Sequence, residues 1–402
     1  MDFVSSWTRG IGPAALLVKA IIASLLGIAL LVAFIVFRRW YRGLYFLRRN
    51  ERTLALRTIW DDIISGRTPP QTWRAKPLDS EVVETILLDN IETAGPEDLP
   101  KLLACLRNSG LLDMRIYEAR KSHGPRRRTA LVALGRTRAP EAIPALAEAL
   151  DAPAADTRMA AVRGLGRTGL SEAAAPLLDI LVDGHLRVPE HAVKNALVNC
   201  CRNHPWILIN RLPQAKGETR ELLARVLAEV ATSEFGDELL VLATDRLPEV
   251  RASAARALGN AQPVFALSLL AALAQDPEWF VRLRAVVSLG AMEHPGRIRI
   301  LLRALCDPNR YVRQRSAWAL AQMQPDFEGI LEQVVATGDR YALEAFTSEL
   351  ERSGAFEKIV NAFEQQSDPA SAAVMLGDAL TAGKQLARTV STSPQQLEGA
   401  VH

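Results

Sequence analysis

Six arginines stand at one fixed offset from a leucine: Arg127, Arg158, Arg220, Arg251, Arg282 and Arg313 each come seven residues before Leu134, Leu165, Leu227, Leu258, Leu289 and Leu320. On an α-helix positions 0, 3, 4 and 7 share a face. Here positions 3 and 4 are small or apolar, as in Ala254 and Ala255, Ala285 and Val286, and Ser316 and Ala317. A guanidinium on such an inward face needs a carboxylate or carbonyls to offset its desolvation. Asp245, Asp276 and Asp307 lie six residues before Arg251, Arg282 and Arg313. These six residues are therefore expected to form a structural ladder, with the aspartate bonding within its unit or across to the neighbour.

A second set of basic residues falls opposite that face. Arg163, Arg225 and Arg256 stand five residues after a ladder arginine, Arg284 and Arg315 two after, and Trp318 five after. Stacking of the units would align these six residues into one basic stripe, which is the candidate partner-binding surface.

The remaining reactive residues do not assemble into a catalytic or metal site. Cys105, Cys200, Cys201 and Cys306 show no paired CxxC spacing, and read as reduced core thiols. His185, His191 and His204 are separated by 6 and 13 residues, which does not place them on one helical face. Gly164, Gly166 and Gly169 spell GxGxxG. They fall at the end of a helical pattern, in the register that also holds Gly135, Gly259 and Gly290, so helix termination is expected rather than a phosphate-binding turn. No enzyme activity, cofactor, metal or small-molecule substrate is expected.

The elements that carry these residues repeat. Successive register leucines are about 31 residues apart, Leu197 fills the gap between Leu165 and Leu227 with Glu190 in place of the arginine, and Leu350 marks one further unit. Each such helix follows another apolar helix across a Pro-containing turn, so the unit is a helical hairpin. LPEVRASAARALG, DPEWFVRLRAVVSLG and DPNRYVRQRSAWALA resemble HEAT repeats of the short bacterial type also found in phycobiliprotein lyase subunits, over roughly residues 124 to 350. The resemblance implies an all-α fold, a right-handed α-solenoid that binds proteins or peptides and whose second helices line the concave side, so that by resemblance the basic stripe with Trp318 would receive an acidic protein segment. It also raises a phycobilin lyase-type enzyme, which the absence of a distinctive site and the presence of an N-terminal membrane segment argue against.

That segment is the uncharged run Ala20 to Phe37, which with Ala14 to Lys19 is long enough for a hydrocarbon core of about 30 Å. Arg38, Arg39, Arg42, Arg48, Arg49, Arg52 and Arg57 come directly after it against the single Glu51, a local charge of +6 in a chain whose total is +3. Charge concentrated there favours a membrane surface and leaves no nucleic-acid reading. Trp40, Tyr41, Tyr45 and Phe46 fall where an interfacial aromatic belt would sit, and the arginines place the C-terminal bulk of the chain on the cytoplasmic side. The expected organisation is a short non-cytoplasmic N-terminus (1–13), a transmembrane helix (14–37), a basic juxtamembrane helix (38–65), a linker (66–78), an atypical helical cap (79–123), the repeat solenoid (124–365), and a C-terminal helix and tail (366–402). Arg38, Arg39, Trp40, Tyr41, Arg42, Arg48 and Arg49 are the expected membrane-surface residues.

The functional expectation is a single-pass scaffold or adaptor of a bacterial inner membrane that binds a cytoplasmic or membrane protein partner, with a regulated membrane enzyme among the candidates. The alternative is an organiser of anionic lipid acting through the basic stalk.

Overall fold

A computed structural model describes residues 13–69, 77–182, 188–323 and 327–353. Most of the expected N-terminus and linker, His185, residues 354–365 and the segment 366–402 lie outside the described residues. Those described are helical, without a strand among them, and divide at residue 122 into two units.

The first unit begins with α1 (Pro13–Thr58), followed by α2 (Trp60–Ile64), α3 (Pro77–Thr93), α4 (Leu99–Asn108) and α5 (Leu111–Lys121). Nothing between Phe37 and Arg38 breaks a helix, so the expected transmembrane and juxtamembrane helices are one element of 46 residues, about 69 Å at 1.5 Å per residue. From Leu17 it is apolar and long enough to cross a membrane, with a mean hydropathy of 3.0 and none of that apolar window buried. The basic half of α1 is tied to α3: Arg52 Nε donates to Asp79 at 2.7 Å, Arg49 to the Thr85 hydroxyl at 3.3 Å, and the Tyr45 hydroxyl to Glu81 at 2.6 Å. Arg115 of α5 grips Glu84 of α3 through Nε and Nη2, both at 2.6 Å. Val83, Leu87, Ile91 and Leu111 make the fully buried core of this unit.

In the second unit the helices are α6 (Gly124–Arg136), α7 (Ile143–Glu148), α8 (Ala155–Thr168), α9 (Ala174–Val182), α10 (Glu190–Cys201), α11 (Trp206–Arg211), α12 (Gly217–Val230), α13 (Gly236–Ala243), α14 (Pro248–Ala261), α15 (Ala266–Leu273), α16 (Trp279–Ala291), α17 (Arg297–Leu305), α18 (Arg310–Ala321), α19 (Phe327–Ala336) and α20 (Arg340–Ser353). The even-numbered helices carry the register leucine. Each packs against the even-numbered helix of the next hairpin, and α7, α13, α15 and α17 against the even-numbered helix that comes after them. Leu134, Leu165, Leu197, Leu227, Leu258, Leu289 and Leu320 are all fully buried, and Leu350 nearly so. A hairpin of this kind cannot bury its apolar stripe alone, so stacking on neighbours supplies its stability.

The glycines correct the expectation from sequence. Of the six glycines in that register and motif only Gly169 ends a helix, as a left-handed cap with φ +65°. The others lie inside helices at points of close approach: a Cβ on Gly135 would stand 2.5 Å from Gly164 Cα, one on Gly166 2.5 Å from Ala196 Cα, and one on Gly259 2.5 Å from Ser288 Oγ. The position just after one register leucine thus meets the position just before the next. Glycine there lets adjacent helices touch backbone to backbone.

Candidate protein-docking groove

The ladder is built from both kinds of acceptor. Arg282 Nη1 donates to the carbonyls of Asp276 and Pro277 in its own turn, at 2.8 and 2.9 Å, while Nε and Nη2 reach Oδ2 and Oδ1 of Asp307 in the next turn at 2.6 and 3.0 Å. Arg251 does the same with Asp245 and Arg246 carbonyls and the Asp276 carboxylate. Arg220 pairs with Asp245 at 2.6 Å. Each aspartate also caps its own turn, with Leu247, Glu278 and Asn309 amides donating to Asp245, Asp276 and Asp307 at 2.9, 2.9 and 2.7 Å. A short carboxylate does both jobs, which is why aspartate occupies the position. Burial pushes the Asp276 carboxyl up, but the Arg251 and Glu278 hydrogen bonds and two guanidiniums outweigh it and hold the group below its ordinary value.

The outward set divides. Arg225 is paired with Glu190 at 2.9 Å and Arg256 with Glu229 at 3.0 Å, each on the preceding even-numbered helix. Lys194 shares Glu229 at 2.9 Å, and its hydrogen bond is the largest cause of that carboxyl's lowered pKa. Arg163 lines a separate small hollow with Arg128, Asp156 and Met159. Arg284, Arg315 and Trp318 come together, in one open groove of about 1200 Å³ across α14, α16, α18 and α20.

Sequence reasoning missed much of this groove. Trp279, Tyr311 and Tyr341 line it and remain 41%, 47% and 59% exposed. Trp279 and Tyr311 lie ring to ring at 5.9 Å, Arg310 sits over Tyr311 at 4.7 Å, Arg313 over Tyr341 at 5.2 Å, and Arg315 over Trp318 at 4.3 Å. The signal was present in DPEWF, DPNRY and GDRY, where an aromatic recurs just inside the start of successive even-numbered helices. Exposed aromatics interleaved with guanidiniums are the composition of protein-binding hot spots.

Among the described residues no group of three or more His, Cys, Asp or Glu could hold a metal ion. Cys200 and Cys201 are buried in α10, and burial pushes both thiols up to about 12. In the stalk Arg38, Arg39, Trp40, Tyr41, Arg42 and Arg48 are exposed, and Arg49 and Tyr45 hydrogen-bond to Thr85 and Glu81 of α3.

Helical hairpins stacked on a continuous core define an α-solenoid. Two stretches of the chain, residues 112–197 and 266–345, match HEAT repeats, the first of them beginning in α5. No curated protein matches the chain. Among solved structures, an engineered protein aligns at 19% identity and TM-score 0.31, over 83% of this chain and 94% of its own. Human deoxyhypusine hydroxylase in complex with glycerol aligns at 19% and 0.26, over 61% and 98%. The CpcE and CpcF complex of phycocyanin lyase from Nostoc sp. PCC7120 aligns at 18% and 0.25, over 66% and 94%.

Proposed function

We propose that this chain is a membrane-anchored scaffold whose HEAT-repeat stack binds a protein partner without catalysing a reaction. The observation that carries the reading is the groove of Arg284, Arg315 and Trp318 with the exposed rings of Trp279, Tyr311 and Tyr341. An apolar surface kept exposed beside a stacked core is costly unless a partner covers it. The apolar span from Leu17, succeeded by exposed arginines, supports an anchor in an inner membrane with the repeats on the cytoplasmic side.

The test is crosslinking and affinity purification of the full chain from membranes, against an Arg284→Glu, Tyr311→Ala variant whose helicity is verified by circular dichroism. A partner captured by the first and lost from the second supports the groove. If the native chain crosslinks to nothing, the scaffold reading fails. Arg38, Arg39, Arg42 and Arg48, exposed in the part of the stalk next to the apolar span, favour a second reading in which anionic lipid is the ligand. Partner capture that survives the groove variant and disappears on replacing those four with Gln would favour it.

A further inference from the structure

Arg313 is the last rung of the ladder, and half of its fork is unmatched. Like Arg251 and Arg282, it gives Nη1 to two carbonyls of its own turn, Asp307 at 2.8 Å and Pro308 at 3.0 Å. Unlike them, it has no carboxylate within ion-pair distance among the described residues, so Nε and Nη2 carry no rung. The register explains the loss. Asp339 caps the start of α20 through the Tyr341 amide at 2.8 Å, as Asn309 caps α18 through Tyr311 at 2.9 Å. The residue equivalent to Asp307 is then Thr337, which is exposed and carries no charge.

This half-used fork lines the docking groove, beside exposed Tyr311 and Tyr341. Arg284, Arg310 and Arg315 line it too, and of its acidic residues Glu349 is taken by Arg352. The two carbonyl bonds already fix the guanidinium plane, so an incoming carboxylate meets a pre-set bidentate donor at small entropic cost. The same geometry holds Asp276 and Asp307 on the two preceding rungs, which shows what the position accepts.

We propose that Arg313 receives an aspartate or glutamate from an extended acidic segment of a partner protein, with an apolar neighbour of that carboxylate packed on Trp279, Tyr311 or Tyr341. The partner completes the rung that Thr337 leaves open. This rests on the scaffold reading and names the chemistry of what the scaffold holds.

The experiment measures fluorescence anisotropy of a fluorescein-labelled peptide of alternating Asp and Phe, and of its Asn and Phe counterpart, on the full chain in detergent micelles. The acidic peptide binds, and the Asn peptide binds at least about tenfold more weakly, the scale of a lost charge-assisted pair. Arg313→Gln and Arg313→Lys each weaken the acidic peptide by a similar factor, the lysine because it keeps the charge and loses the fork. Thr337→Asp supplies the carboxylate in cis, so it raises the melting temperature and also weakens the peptide about tenfold. That variant decides the matter even where Arg313→Gln unfolds.

Equal binding of both peptides, no binding of either, or an affinity unchanged by Thr337→Asp overturns the proposal. So does binding to phosphatidylglycerol vesicles, without peptide binding, that Thr337→Asp abolishes, since the occupant is then lipid. Self-association that Thr337→Asp reverses assigns the groove to a second copy and overturns it as well. A crosslinked partner captured equally by the native chain and by Thr337→Asp sinks this inference and leaves the scaffold reading standing. A native chain with no crosslinked partner sinks the scaffold reading, and the anisotropy still reads the rung.

Discussion

Arg282 and Asp307 lie on consecutive hairpins, 25 residues apart, and meet through two parallel hydrogen bonds of 2.6 and 3.0 Å, with side chains only 13% and 6% exposed. The pair joins these neighbours beside the hydrogen bond that Arg297 donates to the Gly290 carbonyl at 3.2 Å. Removing one member leaves the other charge buried and unmatched, which costs far more than the net worth of the intact pair. Asp307→Ala also removes the cap on the Asn309 amide. It is expected to lower stability by about 3 kcal/mol, read by urea unfolding, whereas Arg282→Met with Asp307→Leu is expected to recover most of that loss.

The contact between Gly135 and Gly164 predicts a substitution that helix propensity alone would favour. Alanine is about 1 kcal/mol better than glycine within a helix, yet a Cβ at 135 stands 2.5 Å from backbone that cannot move aside. Overpacking of this kind costs about 1–3 kcal/mol. Gly135→Ala should therefore melt at a lower temperature than the native chain. Gly329→Ala in α19, where nothing lies within 4 Å, should melt at the same temperature or higher.

Asp276 sets an acid limit on the stack. Its pKa is lowered from 3.8 by the Arg251 and Glu278 bonds against the opposing effect of burial. A depressed folded value means that its stabilisation is fully present above about 3.8, the unfolded value, and is lost as pH falls through the lower folded one. Unfolding monitored by circular dichroism should show stability dropping below that pH. In Asp276→Asn the chain should start less stable and lose less on acidification.

How far the amino-acid order alone reached depends on how local each feature is. The period, the register leucines and the second-helix arginines are set within one helix, where seven residues decide which face is buried, so Leu134 through Leu320 were legible. The ladder's direction was not: an aspartate six residues before each arginine is as visible as one 25 residues after it, and only the packed turns show that the first lends its carbonyl and the second its carboxylate. Arg225 and Arg256 read as free because Glu190 and Glu229 lie 35 and 27 residues away, on the helix before. Glycines inside a helix and at its end look alike in sequence, which hid the contact between Gly166 and Ala196. Tyr311 and Trp279 sit beside the register positions, and only the packed helices show that both rings stay exposed.

The buried thiols of Cys200 and Cys201 predict an alkaline limit. Burial, with Cys201 adding to it at Cys200, moves both from 9.0 to about 12. A raised folded value means full stabilisation below about 9 and progressive loss as pH rises toward about 12, because the unfolded thiols ionise first. Below that window the two should resist a thiolate-specific disulfide reagent in the native chain and react once guanidinium unfolds it. Fast reaction of either at pH 8 in the folded protein would contradict their burial.

In the first unit, Asp79 is 1% exposed and its Oδ2 has no hydrogen-bond partner among the described residues, so its one strong interaction is the 2.7 Å bond from Arg52 Nε on α1. A buried carboxylate held by a single guanidinium is sensitive to losing it. Arg52→Ala should destabilise the docking of α1 on α3 by about 3 kcal/mol, as for other broken buried pairs. Asp79→Asn removes the buried charge together with the ion pair, and should cost less than Arg52→Ala because no unmatched ion remains. Hydrogen exchange along the basic half of α1 in the detergent-solubilised chain separates the cases. Faster exchange in Arg52→Ala than in Asp79→Asn is the expected order, and the reverse would mean that Arg52 holds α1 in place through something other than Asp79.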